Sequence, residues 1–363
     1  MKRRFTIGLA ACSMLTALAL TGFYKQPSVL KQPEFSPLKQ GDPVQVRRSA
    51  NDFGWINIGP TNLGGRTRAI CYDPNGYSVW AGAIGGGLYR SNDYGKNWVR
   101  QTQFGDNLAV SSIAIDSDGT MYVGTGELVF NRQPYYSQAA ANGIDNFRTQ
   151  VPNSVGLPGK GVYVSTDGGQ TFSNLNSTWG AIPQSDVYLS SNPFTSVQKV
   201  AVKNGRVFAA TLNGLFYSDD KFATRTEAIG ITGEIQDVEF GSGDIVYACT
   251  AAGVFVSTDR GVNFTRIPNT SIERSSATEN IYGPRIELAA SVTGDTAYFM
   301  TIGNNNAMRG VWKKTPTDTM WYRVGPNSVD AFSPLGLSAA GTANGAYSAA
   351  ITVDPKDGNR ILV

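Results

Sequence analysis

The side chains that could do chemistry are few. Histidine is absent from all 363 residues, which removes His-based nucleophile triads, the commonest general base and the commonest zinc ligand. Glu127 and Asp145 are the one carboxylate pair to nominate for acid–base cleavage of a glycosidic bond. That chemistry needs the two groups about 5–10 Å apart, which their spacing does not guarantee. Arg66 and Arg68, just after Gly64-Gly65, can grip a carboxylate or pair with an acid on a neighbouring element. Asp116-Ser117-Asp118-Gly119 has the flavour of a calcium loop but lacks the remaining ligands and the distal Glu, so a plain turn is expected. Gly85-Gly86-Gly87 leads into a strand pattern and not a helix, so it is no phosphate loop. Neither a metal nor a cofactor is expected.

The elements that must position these residues come from an internal repeat. One phrase recurs: SNDYGKNW (Ser91, Asp93, Gly95, Trp98), STDGGQTF (Ser165, Asp167, Gly169, Phe172), a degraded SDDKFAT (218–224) and STDRGVNF (Ser257, Asp259, Gly261, Phe264). An Asp at a hairpin tip accepts backbone N–H bonds two residues on, and Gly takes the positive φ of the turn. The aromatic ring then starts the next strand and packs against a neighbour. Around each phrase four short strands A to D can be read, with DPNG, SDGT, KNG, GSGD and TGD as the A–B turns. A fifth unit, 284–321, keeps strands A to C but has lost the phrase, and a sixth begins at Tyr347 and stops in strand B.

S-x-D-x-G-x-x-[WF] resembles the Asp-box, or BNR repeat, of sialidases, sortilin-type receptors, tandem-propeller xyloglucanases and secreted bacterial propellers. The stretch Trp55 to Arg68, WINIGPTNLGGRTR, then YDPNG and VWAGAIGGGLYRSNDYGKNW, is most similar to the last group as found in Bacteroidetes. The resemblance covers residues 53–363. It implies an all-β fold: a β-propeller of four-stranded antiparallel blades, six or seven in number, with the last blade incomplete. Sialidases need an F-R-I-P motif ahead of the first box, whereas the only R-I-P here is Arg266-Ile267-Pro268, after the last one. Xyloglucanases place a catalytic Asp in T-D-I-G-G-x-Y-R, and Ala83 stands in its place.

Strand alternation puts the boxes and A–B turns on one face, and the B–C and D–A loops on the other. The longest loop of the second face, 127–160, carries Arg132, Tyr135, Tyr136, Asp145, Phe147 and Arg148. Aromatics beside arginines suit stacking on sugars or peptide side chains, although the rings can equally pack the insertion onto the propeller. Residues 1–22 read as an export signal, with Lys2, Arg3 and Arg4 before an apolar run. Cys12 is a weaker candidate for a lipid anchor. Removing the signal takes 31 basic residues to 28, equal to the 28 acidic ones, so nothing points to nucleic acid. Residues 23–52 read as a Pro-rich extended tether, and Trp55 to Gly59 can help close the last blade. Cys71 and Cys249, in separate repeats, are expected as buried free thiols.

The expected partner is a glycan or an extracellular protein or peptide, with a secretion-system or cell-surface partner also possible. No membrane span is expected in the mature protein. The expected role is a secreted or cell-surface binding module. A glycoside hydrolase and a sortilin-like peptide receptor are the alternatives.

Overall fold

The structure is a computed structural model that describes residues 66–104, 108–128, 155–179, 192–292, 295–303, 306–325, 345, 349–354 and 357–363. The signal, the tether, Cys12 and Trp55 to Gly59 lie outside these residues.

Five four-stranded antiparallel sheets follow one another along the chain. Blade 1 holds β1 (Thr67–Tyr72), β2 (Val79–Ala83), β3 (Gly87–Ser91) and β4 (Val99–Arg100). Blade 2 holds β5 (Val110–Ile115), β6 (Met121–Thr125), β9 (Val162–Ser165) and β10 (Ser173–Asn174). Between its second and third strands a separate two-stranded sheet intervenes, β7 (Glu127–Leu128) with β8 (Val155–Leu157). Blade 3 holds β11 (Val197–Lys203), β12 (Arg206–Thr211), β13 (Leu215–Ser218) and β14 (Thr226–Glu227). Blade 4 holds β15 (Asp237–Phe240), β16 (Val246–Thr250), β17 (Gly253–Ser257) and β18 (Thr265–Arg266). Blade 5 holds β19 (Arg285–Ala290), β20 (Ala297–Ile302), β21 (Met308–Lys314) and β22 (Tyr322–Arg323). A two-stranded sheet, β23 (Thr352–Asp354) with β24 (Asp357–Leu362), packs beside blade 5.

Blade 5 corrects the expectation that its fourth strand was lost with the box. β22 pairs with β21, because a different turn does the same work: the Asp318 carboxylate accepts the Thr315 N–H at 2.7 Å. Trp321 then fills the place of the box aromatic, edge-on to Tyr247 with centroids 5.8 Å apart.

The core lies between blades because each second strand alternates. Trp80 turns toward Met121 and Val123 of blade 2, Tyr122 toward Val207 and Ala209 of blade 3, and Phe208 toward Val246 and Ala248 of blade 4. Tyr247 and Cys249 turn toward Ala297 and Phe299 of blade 5. Each buried ring of this kind is worth about 1.5–3 kcal/mol. Cys71 and Cys249 are indeed buried free thiols within these layers.

The boxes clamp the opposite edge of each blade. In the first, Ser91 Oγ donates to Asp93 at 2.8 Å and accepts the Gly95 N–H at 2.8 Å, while Asp93 Oδ1 accepts the Asn97 N–H at 2.8 Å. The Asp thus reaches four residues on, not two, because the Ser oxygen already serves the nearer amides. The strand begins one residue after the aromatic, at Val99, Ser173 and Thr265. The degraded box is intact in geometry. Ser218 donates to Asp220 at 2.6 Å and accepts the Phe222 N–H at 2.9 Å, and Asp220 takes the Thr224 N–H at 2.9 Å. Phe222 simply occupies the glycine position at φ 61, and its ring packs on Phe194, centroids 6.4 Å apart.

Candidate functional site

The boxes and A–B turns share one rim, as the strand directions require. Lys221 of the third box reaches Asp118 at 3.3 Å and the Thr120 hydroxyl at 3.0 Å in the A–B turn of blade 2. That turn is a plain one: Asp118 accepts the Thr120 N–H at 2.8 Å, and Asp116 accepts the Gly205 N–H of blade 3 at 2.7 Å. The box Ser and Asp side chains and the Asp116 and Asp118 carboxylates on this rim hold their own turns or the next blade.

The opposite face differs. The first strands β1, β5, β11, β15 and β19 stand next to one another around the axis. Their free edges are joined by side chains reaching the next blade: Ser112 accepts the Val200 N–H at 3.0 Å, Gln236 the Ile286 N–H at 2.8 Å, and Asp237 the Leu288 N–H at 2.8 Å. Buried amides left unpaired there would each cost about 1–3 kcal/mol. Arg66, immediately before β1, lies on the loop face and pairs with Glu127 at the start of β7. Its side chain is 41% exposed and that of Glu127 13%.

Glu127 is fixed by a tight neck. Gly126 donates to Ala109 O and Gly159 to Thr195 O, both at 2.8 Å, and Thr125 Oγ1 donates to Gly161 O at 2.7 Å. Gly126 holds φ +92, and a Cβ there would overlap the Thr195 carbonyl. The sequence-predicted partner Asp145 lies outside the described residues, as do Arg132, Tyr135, Tyr136, Phe147 and Arg148.

Arg68 is half-buried on β1. Burial lowers its pKa to about 10. The Arg285 charge adds to that, Glu287 opposes it, Arg66 lowers it again and Asp237 raises it. Arg68 of blade 1 is thus within electrostatic reach of charges on the first strands of blades 4 and 5, across the axial channel of the ring. The acids and bases of that channel were not singled out from sequence. Lys199 bridges Asp237 at 3.3 Å and Glu239 at 2.6 Å, and the fully buried Arg285 donates to Glu287 at 2.6 Å and to Ala349 O at 2.7 Å. Burial raises the Asp237 pKa to about 7, against the pull of Lys199 and with the push of Glu287 and Glu239. A signal for them existed: Lys199, Asp237 and Glu287 place charges on the first strands at one shared register position, opposite Ala210, Cys249 and Met300.

Ala83, where the xyloglucanase resemblance calls for an acid, is fully buried at the end of β2. Among the described residues no group of three or more Cys, Asp or Glu side chains could hold a metal ion, and no helix is long and apolar enough to cross a membrane.

Four-stranded blades in series and hydrogen-bonded boxes define an Asp-box β-propeller. A family profile described as BNR-Asp box repeat matches residues 88–102, and one described as two component regulator propeller matches residues 103–127. Solved structures similar to the chain include an ancestral GH74 enzyme at 17% identity and TM-score 0.53, covering 85% of this chain and 35% of that one. They also include a GH74 enzyme from Niastella koreensis, at 20% identity and TM-score 0.49, covering 82% and 40%. A GH74 xyloglucanase from Xanthomonas campestris follows at 16% and 0.48, covering 82% and 41%. The chain therefore spans 35% to 41% of the length of these enzymes, and at such identities the likeness is one of fold. No curated protein matches the chain in sequence.

Proposed function

We propose that this propeller is a binding module, exported to the cell surface or beyond, that takes a glycan or protein ligand on its loop face at the mouth of the central channel. The observation that carries this reading is the Arg66–Glu127 pair. It sets an exposed guanidinium at the mouth, on a neck fixed by backbone hydrogen bonds, with Arg68 just inside. Two guanidinium groups at a partly desolvated mouth suit a ligand carboxylate, such as an acidic sugar or an acidic peptide side chain. On the opposite rim the box Ser and Asp side chains are bound within their own turns.

The hydrolase alternative draws on the fold shared with the GH74 enzymes. Against it stand the buried Ala83 and a Glu127 carboxylate held by Arg66 in an ion pair. The deciding experiment incubates the full chain with plant and bacterial polysaccharides and follows both retention on the polymer and release of reducing sugar. Retention without release is expected, and Glu127→Gln should alter retention only. Sugar release that disappears in Glu127→Gln would replace the binding reading with the hydrolase one.

A further inference from the structure

The box rim is interrupted by a cavity where blade 3 meets blade 4. It measures about 320 Å³ and is lined by Lys203 and Asn204 of the β11–β12 turn, Asp244 of the β15–β16 turn and Arg260 of the fourth box, over the buried Phe240 and Val246. That volume falls at the lower end of the ~300–1,000 Å³ of small-molecule sites.

Two substitutions in the repeat leave this junction open. At the preceding junction Lys221, the fourth residue of its box, reaches Asp118 in the A–B turn of blade 2. In the blade 3 turn Asn204-Gly205 stands where blade 2 has Asp118-Gly119, with the glycines at φ 81 and 85, and Arg260 takes the box position of Lys221. A neutral amide gives the guanidinium no ion pair. Arg260 instead lies 4.0 Å from Asp219, a carboxylate that Arg206 already holds through two hydrogen bonds. Lys203 crosses to blade 4 and donates to Gly241 O at 2.7 Å and Gly243 O at 3.3 Å, which leaves one of its three N–H groups to spare. Among the described residues the Asn204 and Asp244 side chains have no hydrogen-bond partner.

We infer that this cavity is a second binding site, on the rim, for one unit of a neutral sugar. Its lining mixes donors and acceptors: Arg260 and Lys203 donate, Asp244 accepts, and the Asn204 amide does both. That set matches neighbouring hydroxyls, while Phe240 and Val246 offer an apolar wall to the C–H face of a pyranose. An anion would meet Asp244, and Asp295 of the next turn adds a second negative charge within reach of Lys203. A cation would meet Lys203 and Arg260. An uncharged, hydroxyl-rich ring is opposed by neither. The cavity lies on the opposite face from Arg66 and takes an uncharged ligand, so the two sites can be titrated separately.

Gly168 holds the place of Arg260 in the second box, so Arg260→Gly keeps the turn and its positive φ of 61 without strain. Asp244→Ala keeps the carbonyl that accepts the Arg260 N–H. The test is calorimetric titration of the full chain with neutral oligosaccharides of glucose, galactose, mannose and xylose, and with glucuronate and inorganic sulfate as charged controls. At least one neutral probe should bind, about tenfold or more weakly in Arg260→Gly and in Asp244→Ala. Its binding should be unchanged in Arg66→Ala, and both rim variants should melt at the parent temperature. Binding by none of the neutral probes, neutral binding that survives both rim variants, or a loss in Arg260→Gly confined to glucuronate or sulfate overturns the assignment.

Discussion

The two faces of this propeller are built from different kinds of residue. On the box rim the same few bonds recur from blade to blade: Ser to Asp at 2.6–2.8 Å, and the amide four residues on to the Ser oxygen at 2.8–2.9 Å. At the channel each blade contributes something else: Arg68, Ser112, Lys199, Asp237, then Arg285 and Glu287. Repetition marks what holds a blade, and its failure marks what a particular molecule does with its axis. The rim is therefore architecture, and the channel is where this chain is individual.

The largest effect expected from breaking that contrast is at Arg285, which is wholly buried and ties blade 5 to the carbonyls of Gly345 and Ala349. Arg285→Met leaves Glu287 without its partner, and urea unfolding should show a loss of about 3–5 kcal/mol. Next come two glycines of the rim. A Cβ on Gly261, at φ +81, would run into the Phe208 ring of blade 3, whereas a Cβ on Gly168 meets nothing. Gly261→Ala should cost about 1–3 kcal/mol for overpacking on top of the left-handed strain of about 1–2 kcal/mol that both substitutions share. The same unfolding experiment on the two variants checks the difference.

The pH response should separate the faces by sign. Backbone and side-chain hydrogen bonds, Asn97 foremost for Asp93 and Thr171 for Asp167, hold these box acids down to about 2. Their stabilisation is present above the unfolded carboxylate range and is lost as pH falls from about 4 toward 2. Asp237 is raised by burial to about 7, so its contribution is complete below about 4 and fades as pH rises toward 7. Stability measured from pH 2 to 8 should lose its acid limb partly in Asp167→Ala and its neutral-range slope in Asp237→Asn.

These contrasts also explain what was legible in the residues alone. Boxes, hairpin turns and blade order could be read because short-range geometry demands Ser, Asp and Gly at fixed spacing. Blade 5 was half missed, since Asp318 and Trp321 achieve the same turn with another pattern. The ion pair of Arg66 with Glu127 joins residues of different blades, and the electrostatic influence of Arg285 and Glu287 on Arg68 depends on the curvature of the ring. No local spacing encodes either, although charges at one shared register position of the first strands were the available clue.

The smallest stability effect belongs to the residue given the largest functional weight. Arg66 is exposed, and Arg66→Ala should cost no more than about 1 kcal/mol. The most direct measurement is therefore binding of the full chain to an array of acidic and neutral oligosaccharides and acidic peptides, repeated with Arg66→Ala, Arg68→Ala and the rim variant Asp167→Ala. Binding of carboxylate-bearing probes that is lost in the two arginine variants and kept in Asp167→Ala is the expected result. Binding indifferent to Arg66 and Arg68 but lost in Asp167→Ala would place the working face on the box rim and contradict the account.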